Sequence, residues 1–412
     1  MRKPLQVLAV IGGLSAAVLG LIAGLFLAVL PWLGLEGDTG RLPGFVVAVA
    51  FVALGCGLGL PLAATALQAL SGKPSRPLRW PRFGLLALLF LLAVAIGQVV
   101  LSYAPVPWLF FPYFYVLGIV LPVVAVLSLV GRRLARGGLT TNWREVLAQV
   151  VSGAFLGTAA AFALEIGLFF VLGLVAVVLL ALTPGGFEQL QTFFAEPQLA
   201  EGFPDLSHLQ PLLRSPWLIG LVFFGMAVVA PAIEEAAKTL GVLLMSYRRP
   251  SQARAFLWGV AGGAGFALVE GLLNGALVLA EQQMWAFSIV ARAGTVVIHC
   301  LAGGLVGLGW QALFSGRRRW RGLGCYVVAV AMHGLWNALV VGVAFAGLLT
   351  SEGAADDMIQ GVGALGVALV GFVLLALLVA QFLLLLYLSQ RLARTLPSPV
   401  VPEGAGSPDA GP

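Results

Sequence analysis

Charge is the scarcest property of this chain. Its 412 residues include 23 Lys and Arg and 17 Asp and Glu, 10% in all, against 60% hydrophobic residues. A soluble fold of this length would lack the polar material to cover its surface, so the soluble globular classes are excluded and an integral membrane protein is implied. Cysteine is nearly absent. Cys56, Cys300 and Cys325 show neither disulfide-framework nor metal-type spacing, which excludes a cystine scaffold and a zinc ribbon and leaves them as packing residues. No basic stretch is interleaved with aromatics, so no nucleic-acid partner is expected. Aspartate is missing from every long apolar run, and His-Glu-x-x-His is missing altogether. Ser152-Gly153 has Val150 where a Gly-x-Ser-Gly nucleophile needs glycine. These absences remove the two-aspartate, common zinc-helix and serine routes to hydrolysis inside a membrane.

What the chain has instead is apolar length. Runs of about 20 residues or more recur throughout, each able to cross a hydrocarbon core of about 30 Å as a helix. Membrane β-strands would be shorter and alternating. We read ten spans, at 7–33, 43–70, 83–103, 113–131, 146–183, 216–246, 255–280, 286–314, 322–349 and 359–390. The first run stays apolar to Leu33, past the length of a signal-peptide core, and is read as a retained anchor.

Loop charge sets the orientation. With the N-terminus in the cytoplasm and ten crossings, 19 of the 23 basic residues fall on the cytoplasmic side, as the positive-inside rule requires. Glu36, Asp38, Glu188, Glu196, Glu201, Asp205, Glu281, Glu352, Asp356 and Asp357 all fall outside. Splitting the long 146–183 run into two crossings would invert every later loop and put Arg317, Arg318, Arg319 and Arg321 outside, so it is counted once. The expected class is therefore all-α: a polytopic transmembrane bundle of about ten spans, both termini cytoplasmic, in a cell membrane of the bacterial inner-membrane kind. The net charge of +6 reflects basic loops facing anionic lipid headgroups.

Residues 1–145 hold four spans of unknown role, and 146–215 the fifth span plus an outer loop expected to carry a short interfacial helix or cap. The segment 216–349 holds four spans, 350–395 the last, and 396–412 a Pro-, Gly-, Ser- and Ala-rich tail expected to be disordered in the cytoplasm. Gly259 with Gly263, and Gly271 with Gly275, stand at helical spacing and predict close packing of the seventh span.

Within the spans, ionisable residues concentrate in the second half: Glu234, Glu235, Lys238, Glu270, Arg292, His299 and His333. A charge in mid-membrane costs on the order of 2.5–3.5 kcal/mol, so such groups pair or line a wet cavity. At about 1.5 Å per residue from the nearest cytoplasmic arginine, Glu234 lies roughly 21 Å deep, Glu270 roughly 24 Å, His299 roughly 27 Å, His333 roughly 18 Å and Asn337 roughly 24 Å. Four spans thus bring polar groups to one layer. Glu234 and Lys238 share a face at i, i+4, as do Phe266 with Glu270 and His333 with Asn337, and Arg292 shares one with His299 at i, i+7. Glu234 and Glu235 repel one another in a low dielectric unless Lys238 or Arg292 offsets them, the setting in which a carboxylate becomes a general base or acid. Glu165 alone interrupts the apolar spans of the first half. At about 31 Å from Arg144 it is placed near the outer interface as a structural partner, and His208 is placed in the outer loop as a solvated residue.

Glu234-Glu235-Ala-Ala-Lys238, Phe266-Ala-Leu-Val-Glu270, His299 and His333-Gly-Leu-Trp-Asn337, in that order on four successive spans, resemble the PrsW family of membrane proteases, which is related to the CAAX prenyl proteases. The resemblance covers about residues 217–340 and leaves out the first four or five spans. It implies an intramembrane endopeptidase acting on membrane-anchored protein substrates, in some bacteria an anti-sigma factor. Glu234 and Glu235 match its paired catalytic glutamates, Glu270 its Phe-x-x-x-Glu acid, His299 its histidine, and His333 with Asn337 its His-x-x-x-Asn pair. Gly271 departs from the pattern, which has asparagine there.

The expected mechanism has Glu234 accept a proton from the attacking water, Glu235 or Glu270 assist, and His333 with Asn337 stabilise the oxyanion. Lys238 and Arg292 are supporting residues, Arg292 placed to orient a carboxylate. No cofactor is required in this reading. Its alternative is zinc held by His299, His333 and a glutamate. Three other readings remain: an ion- or proton-coupled transporter, for which no internal repeat is visible in the sequence; an inactive relative that binds membrane proteins; and an ion-pair cluster that only fixes helix packing.

Overall fold

The computed structural model describes residues 3–30, 41–103, 107–183, 185–195, 216–276, 278–279, 281–316, 319–350 and 357–396. The tail beyond residue 396, the outer-loop residues 196–215 with His208, and Arg317 and Arg318 lie outside the described residues. The helices are α1 (Lys3–Val29), α2 (Arg41–Leu70), α3 (Phe83–Tyr103), α4 (Pro107–Arg136), α5 (Trp143–Ala181), α6 (Gly186–Ala195), α7 (Trp217–Arg248), α8 (Gln252–Ala276), α9 (Trp285–Ser315), α10 (Arg319–Thr350) and α11 (Asp357–Arg394). All but the short α6 are long and apolar enough to cross a membrane, which makes ten among the described residues. The long run around 146–183 is one continuous helix, α5, and α6 supplies the helix expected in the outer segment. Beyond one isolated bridge, Pro77 with Asn142, the described residues hold no β-structure. The cysteines are free.

Burial grades the helices. α8 and α9 are covered along most of their length, whereas α5, α7, α10 and α11 turn most of their surface outward. α8 can take the centre because 12 of its 25 residues are glycine or alanine: a Cβ at Gly259 or Gly263 would run into the carbonyls of Gly303 and His299 on α9. Their missing side chains bring the two backbones into contact, the device that drives helix association where water cannot. The glycine spacing in the seventh span thus has its predicted role, and its effect is to fix the backbone that carries His299.

The first half of the chain buttresses this centre. On α4, Phe111 meets Trp285 of α9 edge-on at 4.9 Å between ring centroids, and the Tyr115 hydroxyl donates to the Leu272 carbonyl of α8 at 2.6 Å. The Gln98 carbonyl oxygen of α3 accepts from the Ala286 amide at 3.0 Å, satisfying a free N–H at the start of α9. At the opposite end, Arg254 donates to Glu145 at 2.9 Å and to the Thr140 carbonyl, and Arg144 donates to the Lys73 carbonyl. The basic connections therefore gather at one end of the bundle and stitch its loops together.

Candidate active site

The site is made by helices that are locally irregular for reasons written in their sequence. Pro231 in α7 has no N–H to give to the preceding turn, and the five residues before it, Gly225–Val229, widen into a π-turn. A released carbonyl there, that of Met226, accepts from Asn337 Nδ2 of α10 at 3.1 Å. Gly334, beside His333, lets α10 close on the Ala227 carbonyl, where a Cβ would collide. After Lys238 the α-helix breaks, with Thr239 at φ −106 and ψ 13. Its hydroxyl takes up the loose carbonyls of Glu235 and Ala236 and accepts from Trp310 Nε1 at 2.9 Å. α5 has a matching π-turn at Ser152–Gly157, and Gly157 lies against Lys238.

These irregularities bring Glu234, Glu235, Lys238, Glu270, His299 and His333 together from four helices. Lys238 Nζ donates to Glu235 Oε1 at 2.7 Å and to His299 Nδ1 at 2.9 Å, and stands 4.7 Å from the Phe266 ring centroid. An ammonium has three protons, and these are its two bonds and its ring face. The i, i+4 spacing paired Lys238 with Glu234. The structure corrects this to Glu235 at i, i+3, because the helix ends at Lys238 and its side chain turns inward.

The hydrogen bonds fix opposite tautomers on the two histidines. Lys238 can only donate, so His299 Nδ1 accepts and its proton sits on Nε2, 2.5 Å from Glu270 Oε2. Glu235 Oε1 accepts from His333 Nδ1 at 2.8 Å, and in the neutral ring this puts the lone pair on Nε2, which faces Glu234 Oε2 at 3.7 Å. The rings stand edge to face, 5.0 Å apart.

Burial separates the acids. The Glu235 and Lys238 side chains are at 0% exposure, Glu234 at 14% and Glu270 at 31%. Glu234 Oε2 has no hydrogen-bond partner. Glu234 and Glu270 are thus partly open, although one oxygen of each is buried, whereas Glu235 is occupied in holding Lys238 and His333. Glu234, His299 and His333 each offer one ligand atom within 4.8 Å of the others.

Two of the sequence candidates stand apart. Arg292 lies in a cleft lined by Ile119, Pro122, Gly271 and Ile289, where Glu270 feels its charge without a direct ion pair among the described residues. Asn337 commits its amide N–H to Met226 rather than to the acid cluster. Two residues enter that the sequence reading did not place in the site. Asn274, one turn past Glu270, donates to Glu270 Oε1 at 3.1 Å and supplies the amide missing at Gly271. Glu165 of α5 stands near Glu234 and the rest of the acid cluster. Its rarity as a buried charge in the first half was the signal, and the depth estimate from Arg144 set it aside.

A family model described as PrsW family intramembrane metalloprotease matches residues 141–379. The match takes in α5 and much of α11, wider than the 217–340 over which the motifs resemble that family. No curated protein and no solved structure matches the chain.

Proposed function

We propose that this chain, which belongs to the PrsW family and is an intramembrane protease, hydrolyses its membrane-protein substrates with water activated at Glu234, beside a divalent cation. The observation that carries the reading is the face-to-face pair of Glu234 Oε2 and His333 Nε2. Both are acceptors, they stand 3.7 Å apart, and the carboxylate oxygen is buried without a partner. Such a pair calls for a donor or a cation between its members. Four acids, Glu165, Glu234, Glu235 and Glu270, stand near Lys238, and Arg292 lies apart in its cleft, so the cluster is also short of positive charge. Imidazole and carboxylate are zinc ligands by type. Glu234 and His333 would hold the ion; His299, the third group near enough to serve, has Nδ1 taken by Lys238 and its proton on Nε2, and would have to release both Lys238 and Glu270 to join them. When bound, such an ion supplies Lewis acidity and a more acidic water.

The remaining roles belong to the chain itself. Glu235 orients His333 through Nδ1 and holds its lone pair toward Glu234, the carboxylate–histidine pairing that supports a ligand from behind. Lys238 fixes Glu235 and His299 in one plane of contacts, and Asn274 holds Glu270. Glu234 takes the proton of the attacking water, and Glu270, more open than Glu234 and Glu235, passes protons out of the site. Asn337 shapes the π-turn that aims α7. The bundle stands with both termini in the cytoplasm of a bacterial inner membrane, and an anti-sigma factor is the substrate class that the family resemblance suggests.

The test is cleavage of tagged single-span proteins by the purified protein in lipid, with and without a strong chelator. Loss of cleavage on chelation and its return on adding zinc support the reading. Cleavage that survives chelation and disappears in Glu234→Gln returns the mechanism to glutamate alone.

A further inference from the structure

We propose that a groove between α7, α9 and α10 binds one acyl chain of an anionic phospholipid, with Arg319 holding the headgroup phosphate. The groove has a volume of about 260 Å³ and is lined by Ala236 of α7, Val306, Trp310 and Leu313 of α9, and Leu323 and Tyr326 of α10. Gly309 and Gly322 also line it and contribute no side chain. Leu313 and Leu323 are exposed at its rim, so it opens on the side of the bundle that meets hydrocarbon. Its two polar side chains are spent on the protein: Trp310 Nε1 donates to the Thr239 hydroxyl at 2.9 Å, and the Tyr326 hydroxyl donates to the Ala232 carbonyl at 2.6 Å.

This apolar lining selects among occupants. An extended peptide inside a membrane must find partners for its N–H and C=O groups, and these side chains have none to spare. A helix, about 10–12 Å across with its side chains, is too wide to enter. An acyl chain needs neither partners nor width. Charge then fixes the kind of lipid. Arg319, Gly322, Leu323 and Tyr326 stand at i, i+3, i+4 and i+7 on α10 and form one stripe. Arg319 therefore continues the line of the groove toward the basic end of the bundle, about 10 Å along the axis from Tyr326. Its side chain leans further that way, toward the start of its helix, and no acid forms an ion pair with it among the described residues. Trp320 beside it is 85% exposed, as suits an aromatic ring at headgroup level. A free guanidinium at the mouth of an apolar hollow matches a phosphate at the head of a chain. The chain packs on Ala236 and Trp310, both bonded to Thr239 at the break in α7, and so braces the segment that carries Glu234 and Glu235.

The experiment adds phosphatidylglycerol or phosphatidylcholine, with identical chains that carry a photoreactive group, to the purified full chain in detergent. Bound lipid is counted by native mass spectrometry, and adducts are mapped to peptides. Phosphatidylglycerol is expected to bind about fivefold tighter than phosphatidylcholine, the gain from one basic residue at headgroup level, with its adducts between residues 306 and 326. Arg319→Gln removes that preference. Arg394→Gln, an exposed arginine of α11 at the same end of the bundle, keeps it. Leu323→Trp fills the groove and displaces both lipids, whereas Leu369→Trp on the outward face of α11 displaces neither. Competition of the wild-type adducts by unlabelled lipid, phosphatidylglycerol ahead of phosphatidylcholine, gives the same reading without any variant. Equal binding of the two lipids to wild type, the same loss in Arg394→Gln as in Arg319→Gln, or adducts scattered over the outward faces overturns the proposal. So does an unchanged adduct pattern in Leu323→Trp at wild-type thermal stability. A tagged single-span substrate that drives the adducts off gives the groove to the substrate and equally overturns it.

Discussion

The two walls of the active site are built in opposite ways. The α8–α9 wall, which carries Glu270 and His299, is backbone against backbone: Gly259 and Gly263 meet the carbonyls of Gly303 and His299, and both helices are covered along most of their length. The α5–α7–α10 wall, which carries Glu165, Glu234, Glu235 and His333, faces outward over most of its surface and is interrupted by two π-turns and the break at Thr239. One wall is held by shape, the other by polar bonds. The contrast teaches that the rigid wall supplies fixed partners, while the irregular wall aims Glu234, the carboxylate proposed to activate water. Irregular backbone is tolerated in a membrane where side chains re-satisfy the freed carbonyls, as Asn337 and Thr239 do here.

The sharpest way to break the comparison is at Glu234. Glu234→Gln should lower kcat by about 10²–10⁴-fold with no change in thermal unfolding, because it removes the base and leaves the bonds of both walls in place. A variant that unfolds instead would make Glu234 a structural member of its wall. Lys238→Met should act on stability, since it leaves the fully buried Glu235 carboxylate without its cation and with only the His333 bond, at a cost of about 3–5 kcal/mol. Unfolding in mild detergent would read this, and an unchanged midpoint would show that the two walls are joined by something other than Lys238.

Gly259→Leu forces α8 from α9 and should cost about 1–3 kcal/mol. Gly57→Leu, at a position with nothing within 4 Å of an added Cβ, should cost nothing measurable. Equal effects of the two would remove the claim that α8–α9 is held by shape. The smallest effect is expected at Asn337→Ala, which loses one bond to the Met226 carbonyl, worth about 0.5–1.5 kcal/mol, with kcat falling only a few-fold. A hundredfold fall in kcat at unchanged stability would instead make Asn337 an oxyanion donor.

The site was legible in the sequence as a layer but not as a set of contacts. Glu234, Glu270, His299 and His333 were placed at similar depth because each stands a countable number of residues from a basic loop. Glu165 was set apart from the layer by the same count; its backbone does stand further along than that of Glu234, since Gly157 of α5 is level with Lys238, and it comes near the cluster only through its side chain. Asn337 looked like a catalytic partner of His333 from its i, i+4 spacing. Its amide goes to Met226 because Pro231 leaves that turn short of a donor.

By itself, then, the sequence determined the ten helices, their lengths and the chemical types gathered in mid-membrane. Hydrophobic length and the cost of a buried charge are properties of each segment taken alone. Only the tertiary structure decided which glutamate is fully covered, which partners Lys238, His299 and His333 bond, and that Glu165 stands near Glu234. Those depend on how far each helix is rotated by its π-turns, its proline and its break, and on what the neighbouring helix offers at that height.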